Sequence, residues 1–466
     1  MKNTRFYIAG FITVILCLGI AGCDGSNYEN ISPLLNWRAV YSFYEDAEGI
    51  TGPSFEPAFD EEEGLPFNEE DCLSVAYGNG IIVVGGVYSG KIAYSKDKGD
   101  TWEITDSGLN YGIRSIAFAN GTFIAGGEVS EGEEEDEDFF TEDFISLSSN
   151  GKDWVLASAD WIDSGRANVL SAGNSFFVKN QRGVYLYCSR DNGQTWEGYD
   201  GGDDVYMPRT LKGISYGNGI HVLVGNNRSS GSGSGEVLLS RDGGVMWEGA
   251  VFYWNKNKDG EIILATELLE DEELYDEDSW GRFLRYTDDI IFGDGTFIVS
   301  GSDYYGYEFT DDEGNEAIEK NIHQYDDGID ANMLISTDGV NWIRRDCGME
   351  SALLGFGSGT FVALDVFENN KAIYSTDKGV TWKPAYSNFG SATLFKMSYG
   401  SNYFIATGFN YKNGGFTSNI FYSDDIGKTW KTVESQFDGL LTDILHADGA
   451  FIAVGENGKI YIAEVK

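Results

Sequence analysis

Residues 95–102 read SKDKGDTW, and the same phrase returns as SRDNGQTW at 189–196, SRDGGVMW at 240–247, STDKGVTW at 375–382 and SDDIGKTW at 423–430. Two shortened versions, SSNGKDW at 148–154 and STDGVNW at 336–342, bring the number of copies to seven. The physics of the phrase is local. Its Asp side chain folds back onto turn amides, its Gly supplies a positive φ, and its Trp packs into a neighbouring sheet. Asp97, Asn150, Asp191, Asp242, Asp338, Asp377 and Asp425 are therefore read as braces of their own turns, not as catalytic or metal-binding groups.

Ahead of each copy stand an apolar strand, a tight turn and a second apolar strand. They read SVAYGNGIIVVGG at 74–86, SIAFANGTFIAGG at 115–127, ISYGNGIHVLVG at 214–225 and IIFGDGTFIVSG at 290–301. Looser copies start near Val169, Leu354 and Met397, and a last one, ILHADGAFIAVG, occupies 444–455. The Asn-Gly and Asp-Gly pairs are hairpin turns between alternating strands. A third strand such as KIAYS, the repeated phrase and a Trp-led strand complete a unit of four. Such a unit, repeated, is a propeller blade. The chain is thus expected to be all-β, an eight-bladed β-propeller of four-stranded antiparallel blades, with seven blades as the alternative. The eighth unit lacks its fourth strand, and Asn36-Trp37-Arg38-Ala39-Val40 matches the Trp-led strand of its sisters. The N-terminal segment is expected to complete that blade and remove an exposed sheet edge.

The repeated phrase resembles the Asp-box, or BNR repeat, of sialidases, sortilin-type receptors and photosystem-assembly-factor-like propellers. The resemblance covers nearly all of the chain after its leader and implies a scaffold that binds ligands at the end opposite the Asp-boxes. A sialidase would also need three Arg to hold a carboxylate, a Tyr nucleophile activated by Glu, and an Asp acid/base. Arg114, Arg282, Arg285, Tyr286, Asp288 and Asp289 are the residues here that suit those roles. The Phe-Arg-Ile-Pro segment of that family is absent, and Trp37-Arg38-Ala39-Val40 is a poor substitute. The reading is a non-catalytic binding module, with a sialidase or other glycoside hydrolase as the alternative.

The first residues read as an address. Lys2 and Arg5 precede an apolar run over 6–20, suited to a secretory signal and short for a membrane span. The run ends Ile20-Ala21-Gly22-Cys23, which resembles the lipobox of bacterial lipoproteins. That resemblance implies a signal peptide over 1–22, lipid on Cys23, a tether over 23–35 and the propeller over 36–466. The protein is then exported and lipid-anchored on the periplasmic or cell-surface side of a bacterial membrane. Past Cys23 only Cys72, Cys188 and Cys347 remain, an odd number with no zinc-like spacing, and Cys188 is read as buried packing.

With 32 Lys+Arg against 75 Asp+Glu the formal charge is −43, which disfavours nucleic acid and electrostatic docking to anionic lipid. In an antiparallel meander, turns alternate between two ends. The long insertions at 45–71, 128–143, 199–212, 226–236, 250–288 and 303–332 all belong to one end, opposite the Asp-boxes. They carry acidic runs at 59–64, 132–138, 269–278 and 310–314, with aromatics among them. Glu133, Asp136, Phe139, Trp254, Trp280, Tyr304 and Tyr305 are read as ligand-face residues. Such a surface suits a protein or glycan of the envelope or extracellular space. No cofactor or metal is expected; Ca²⁺ on the carboxylate runs is the one alternative, and none of them has an EF-hand spacing. A monomer is expected.

Overall fold

The computed structural model describes residues 35–42, 74–86, 90–109, 112–127, 145–157, 167–180, 185–199, 207–229, 232–256, 262–264, 286–302, 306–310, 316–320, 331–349, 351–366, 370–412, 415–434, 440–455 and 458–465. Seven four-stranded antiparallel sheets, and four antiparallel strands of a six-stranded one, form the eight blades of a β-propeller. Blade 1 is Ser74–Gly78, Ile81–Gly85, Lys91–Ser95 and Glu103–Asp106. Blade 2 is Ile113–Ala119, Thr122–Gly127, Ile145–Ser148 and Val155–Ala157. Blade 3 is Ala167–Ala172, Ser175–Asn180, Leu186–Ser189 and Glu197–Tyr199. Blade 4 is Thr210–Gly217, Ile220–Ser229, Ser232–Ser240 and Glu248–Gly249. Blade 5 is Tyr286–Gly293, Thr296–Ser302, Ala331–Ser336 and Asn341–Asp346. Blade 6 is Ala352–Gly357, Thr360–Asp365, Ala372–Ser375 and Lys383–Pro384. Blade 7 is Thr393–Gly400, Tyr403–Lys412, Gly415–Ser423 and Lys431–Glu434.

Blade 8 takes Leu441–Ala447, Ala450–Gly455 and Lys459–Val465 from the C-terminal end of the chain and Leu35–Ser42 from the N-terminal end. The borrowed strand runs antiparallel to the last one, from Leu35 opposite Val465 to Ser42 opposite Lys459. Eight blades, not seven, and closure of the last by the N-terminal strand are what the repeat count implied.

The chain divides into two compact units, residues 1–198 with 386–466, and residues 199–385. The first holds blades 7, 8, 1, 2 and 3, whose inner strands pack on one another in that order; the second holds blades 4, 5 and 6, packed likewise. The apolar cores lie between blades. Trp102 of blade 1 packs with Ile452 and Ile462 of blade 8, Trp154 of blade 2 with Val83 and Tyr94 of blade 1, and Trp342 of blade 5 with Val222 and Leu239 of blade 4. Trp37 fills the same place for blade 8, packed with Ile405 and Tyr422 of blade 7. Each of these four Trp thus packs its ring against the preceding blade, and these blades lean on one another for their cores.

The turn between inner and second strands has two consecutive residues at positive φ in blades 1, 2, 4, 5, 6, 7 and 8, for example Asn79 and Gly80 at 52° and 76°. This is the mirror-image turn that suits the right-handed strand twist. The structure departs from the expected loops at 250–288. Residues Val251–Lys256 form a strand that runs parallel to the outer strand of blade 5, with Ile262–Leu264 paired outside it. The backbone here pairs along the edge of the blade 5 sheet instead of forming a loop.

Candidate functional site

The Asp-box end is built to hold itself together. In blade 1 the Ser95 Oγ donates to Asp97 Oδ1 at 2.8 Å and accepts from the Gly99 amide at 2.8 Å. Asp97 Oδ1 accepts from the Thr101 amide at 2.8 Å, Oδ2 from the Thr101 hydroxyl at 2.5 Å, and the Trp102 Nε1 donates to the Gly99 carbonyl at 3.0 Å. The same pattern recurs around Asp191, Asp377 and Asp425. Asp242 accepts from the amides of Val245 and Met246 at 3.0 Å. Hydrogen bonds from Thr101 and Thr381 hold the carboxyls of Asp97 and Asp377 below the usual carboxylate range. At Asp191 and Asp425 burial pushes the pKa up, and the bonds from Thr195 and Thr429 outweigh it.

The shortened boxes close one residue earlier. Asp338 accepts from the Asn341 amide at 2.8 Å and from its side-chain Nδ2 at 2.7 Å. In blade 2 the roles are exchanged, with Asn150 Nδ2 donating to Asp153 Oδ2 at 2.8 Å while Asn150 Oδ1 accepts from the Asp153 amide.

This end also joins neighbouring blades. Asn79 donates to the carbonyls of Gly121 and Ser149 in blade 2, both at 3.0 Å, and Asn218 donates to those of Gly295 and Thr337 in blade 5. Where the turn carries Asp instead, the next Asp-box supplies Lys: Lys378 reaches Asp294, and Lys98 reaches Asp448 at 2.8 Å. Among the described residues, these Asp, Asn and Lys side chains are engaged within the protein.

The opposite end is different. Residues inserted at 226–236 lengthen the second and third strands of blade 4 into a hairpin paired out to Ser229 with Ser232. Blade 7 does the same, out to Lys412 with Gly415, a projection the insertion pattern did not reveal. Gly306–Thr310 and Glu316–Lys320 make a separate ribbon in the 303–332 insertion of blade 5.

At that end the inner strands are irregular in a repeating way. Pairing slips by one residue between Ile113 and Ser115, Leu211 and Gly213, Thr287 and Asp289, Leu394 and Lys396, and Leu441 and Asp443. The extra residues are Arg114, Lys212, Asp288, Phe395 and Thr442, each at the same place in its blade. A β-bulge of this kind re-aims a side chain out of the ladder. In every bulged blade the residue before the bulge faces a Gly of the second strand: Gly127, Gly225, Gly301, Gly408 or Gly455. In the regular blades 3 and 6 the equivalent partners are Asn180 and Asp365. Glycine there is the sequence signal for the bulge, and the insertion pattern alone did not show it.

Two of these bulges act together in the second unit. Ser351 Oγ donates to Asp288 Oδ2 at 2.7 Å. Asp288 keeps some exposed surface as a residue while its carboxyl is enclosed; burial pushes the pKa up to about 6, against opposing pulls from the Ser351 bond and the Lys212 charge. Its neighbour Asp289 is committed elsewhere, accepting from the Leu354 amide of blade 6 at 2.9 Å and from the Ile290 amide at 2.8 Å. Asp443 repeats that arrangement, with Val75 of blade 1 and Ile444. In the first unit Phe395 stacks on Phe409 with ring centres 4.8 Å apart, and Arg114 is half-buried. Blade 3 contributes a buried lysine that sequence reasoning missed: burial lowers the Lys179 pKa to about 8, and its Nζ donates to the Tyr185 carbonyl at 3.3 Å.

Of the residues singled out for a ligand, Glu133, Asp136, Phe139, Trp280, Tyr304 and Tyr305 lie outside the described residues, as do Cys23, Arg282 and Arg285. The backbone of Trp254 lies in the added strand beside blade 5, and that of Tyr286 opens the inner strand of the same blade. Among the described residues no three His, Cys, Asp or Glu side chains gather as metal ligands.

No protein-family model matches the sequence, and no curated protein matches it. Solved structures do. The computationally designed Ika8 protein is 10% identical, with 85% of this chain and 97% of that one covered at a TM-score of 0.50. YCF48 from Cyanidioschyzon merolae is 13% identical over 85% of this chain and 96% of that one, with a TM-score of 0.41. Virginiamycin B lyase from Staphylococcus aureus is 8% identical over 86% and 96%, also at 0.41. The likeness to the designed protein is one of fold.

Proposed function

We propose that this protein is an exported, lipid-anchored β-propeller that binds a protein or glycan of the cell envelope and performs no catalysis. Its ligand lies at the end opposite the Asp-boxes. One observation carries the reading: the two ends of the blades differ in how much polar capacity they keep. At one end Asp97, Asp191, Asp377 and Asp425 are bonded into their own turns. At the other, hairpins extend past the sheets and bulges re-aim Arg114, Lys212, Asp288 and Phe395. The acidic run at 132–138 joins the end of Thr122–Gly127 to the start of Ile145–Ser148, both at this same end. A rigid frame with elaborated loops on one side is a usual layout for recognition. The engagement of Asp289 by two backbone amides argues against its service as the acid of a glycoside hydrolase.

The test is photo-cross-linking in cells from a reactive residue at position 395 or 114, compared with one at 192 in an Asp-box. Capture of a discrete partner from 395 and 114 alone supports the reading. Equal capture from 192, or turnover of a fluorogenic sialoside that Tyr286→Phe abolishes, overturns it.

A further inference from the structure

The N-terminal strand enters blade 8 at one defined end. Leu35 pairs with Val465, and the Val465 amide donates to the carbonyl of Gly449, in the turn between the inner and second strands of blade 8. Arg38, three residues further on, bonds Asp100 in the Asp-box of blade 1 at 2.6 Å. The chain therefore enters at the Asp-box end of the first unit and climbs to Ser42 at the hairpin end. We infer that the Asp-box end of this unit faces the lipid surface and the hairpin end points away from it. The inference rests on the lipid anchor at Cys23.

Two arguments support it. The first is reach. The 12 residues from Cys23 to Leu35 span at most roughly 40 Å when taut, and a random chain of that length averages about 20 Å. Presenting the hairpin end instead would require the tether to run back up the outside of blade 8. That consumes roughly 25 Å, the length of an eight-residue strand, which exceeds the average span and leaves only about 15 Å of the taut reach. The second is charge. At the Asp-box end of this unit acids meet cations: Asp448 with Lys98 at 2.8 Å, Glu103 with Lys152 at 3.2 Å, Glu197 with Arg190 at 3.0 Å and Asp424 with Lys431 at 2.8 Å. The acidic runs at 59–64 and 132–138, neither of which contains a Lys or Arg, belong to connections at the other end. Anionic headgroups repel such runs and tolerate a surface of matched pairs.

The experiment uses the full chain, acylated in a bacterial host and reconstituted in vesicles of zwitterionic and anionic phospholipid. In a background carrying Cys72→Ser and Cys347→Ser, a fluorophore is placed at Gln194→Cys in the Asp-box of blade 3. A second preparation carries it at Tyr185→Cys, at the far end of the same blade. A headgroup-attached quencher is expected to cause loss of signal at 194 and to spare 185. Equal loss at both, or loss at 185 alone, overturns the orientation while leaving the anchor intact. If the parent chain carries no lipid and, like Cys23→Ser, fails to sediment with vesicles, anchor and orientation fall together.

Discussion

The Asn150 side-chain amide donates to Asp153 at 2.8 Å, whereas in blade 5 the bond runs the other way, from Asn341 to Asp338. A turn of this shape thus needs one amide and one carboxylate, and is indifferent to which comes first. Asn150→Asp would set two carboxylates against each other and is expected to cost about 1–2 kcal/mol. Adding Asp153→Asn should restore most of the loss. Chemical denaturation of the two variants checks it, and an unrecovered double variant would refute the exchange.

Asp97→Ala removes the acceptor for the Thr101 amide and hydroxyl, with an expected loss of about 1–2 kcal/mol and no change in ligand capture. The carboxyls of Asp97 and Asp377 lie below their unfolded values, so their contribution is present above about pH 4 and vanishes as pH falls through the depressed folded values. Melting curves of the parent should drop steeply below about pH 4, and those of Asp97→Ala less so.

Asp288 has the opposite sign. Its folded pKa of about 6 lies above the ordinary value, so the folded state holds a proton that the unfolded chain has released. Stability from this group is full below about pH 4 and declines as pH rises to about 6. Asp288→Asn is expected to raise the melting temperature at pH 7.5 and leave it unchanged at pH 4. An equal rise at both values would show that its ionisation is irrelevant.

Ile426 occupies the left-handed region at φ 58°, where the sister boxes place Lys98, Asn192, Lys378 and Gly243. A β-branched residue is strained there, and Ile426→Asn is expected to stabilise by about 1 kcal/mol. Unfolding midpoints measure it directly. Gly99 is the counter-case: it has φ 89°, and a Cβ on it would fall inside the Ile462 side chain of blade 8. Gly99→Ala should therefore destabilise by about 2 kcal/mol or more.

Much of the architecture was open to reading because it is local and repeated. The Asn-Gly and Asp-Gly turns announce their positive φ values, and a Trp six or seven residues after each box Ser marks an interface. Closure by Asn36-Trp37 was visible for the same reason, as one more copy of a known strand. The bulges escaped notice because their signal is a single glycine in the second strand, Gly225 for instance, among many other glycines. The strand at Val251–Lys256 was missed since a lone edge strand has no sister copy to be matched with. As for the site, Asp289 looked equivalent to Asp288 in sequence; only the bulge separates an enclosed carboxyl from one tied to Leu354.

The borrowed strand of blade 8 has a mechanical meaning as well. On the proposed function, a protein held by lipid on one side and by its ligand on the other would be a link under tension. Force entering at Leu35 acts along the strand axis, so the seven pairs from Leu35 to Ser42 resist together in shear, where a sideways pull would unzip them in turn. The joint at which the two ends of the chain meet is also the joint best aligned to withstand a tug.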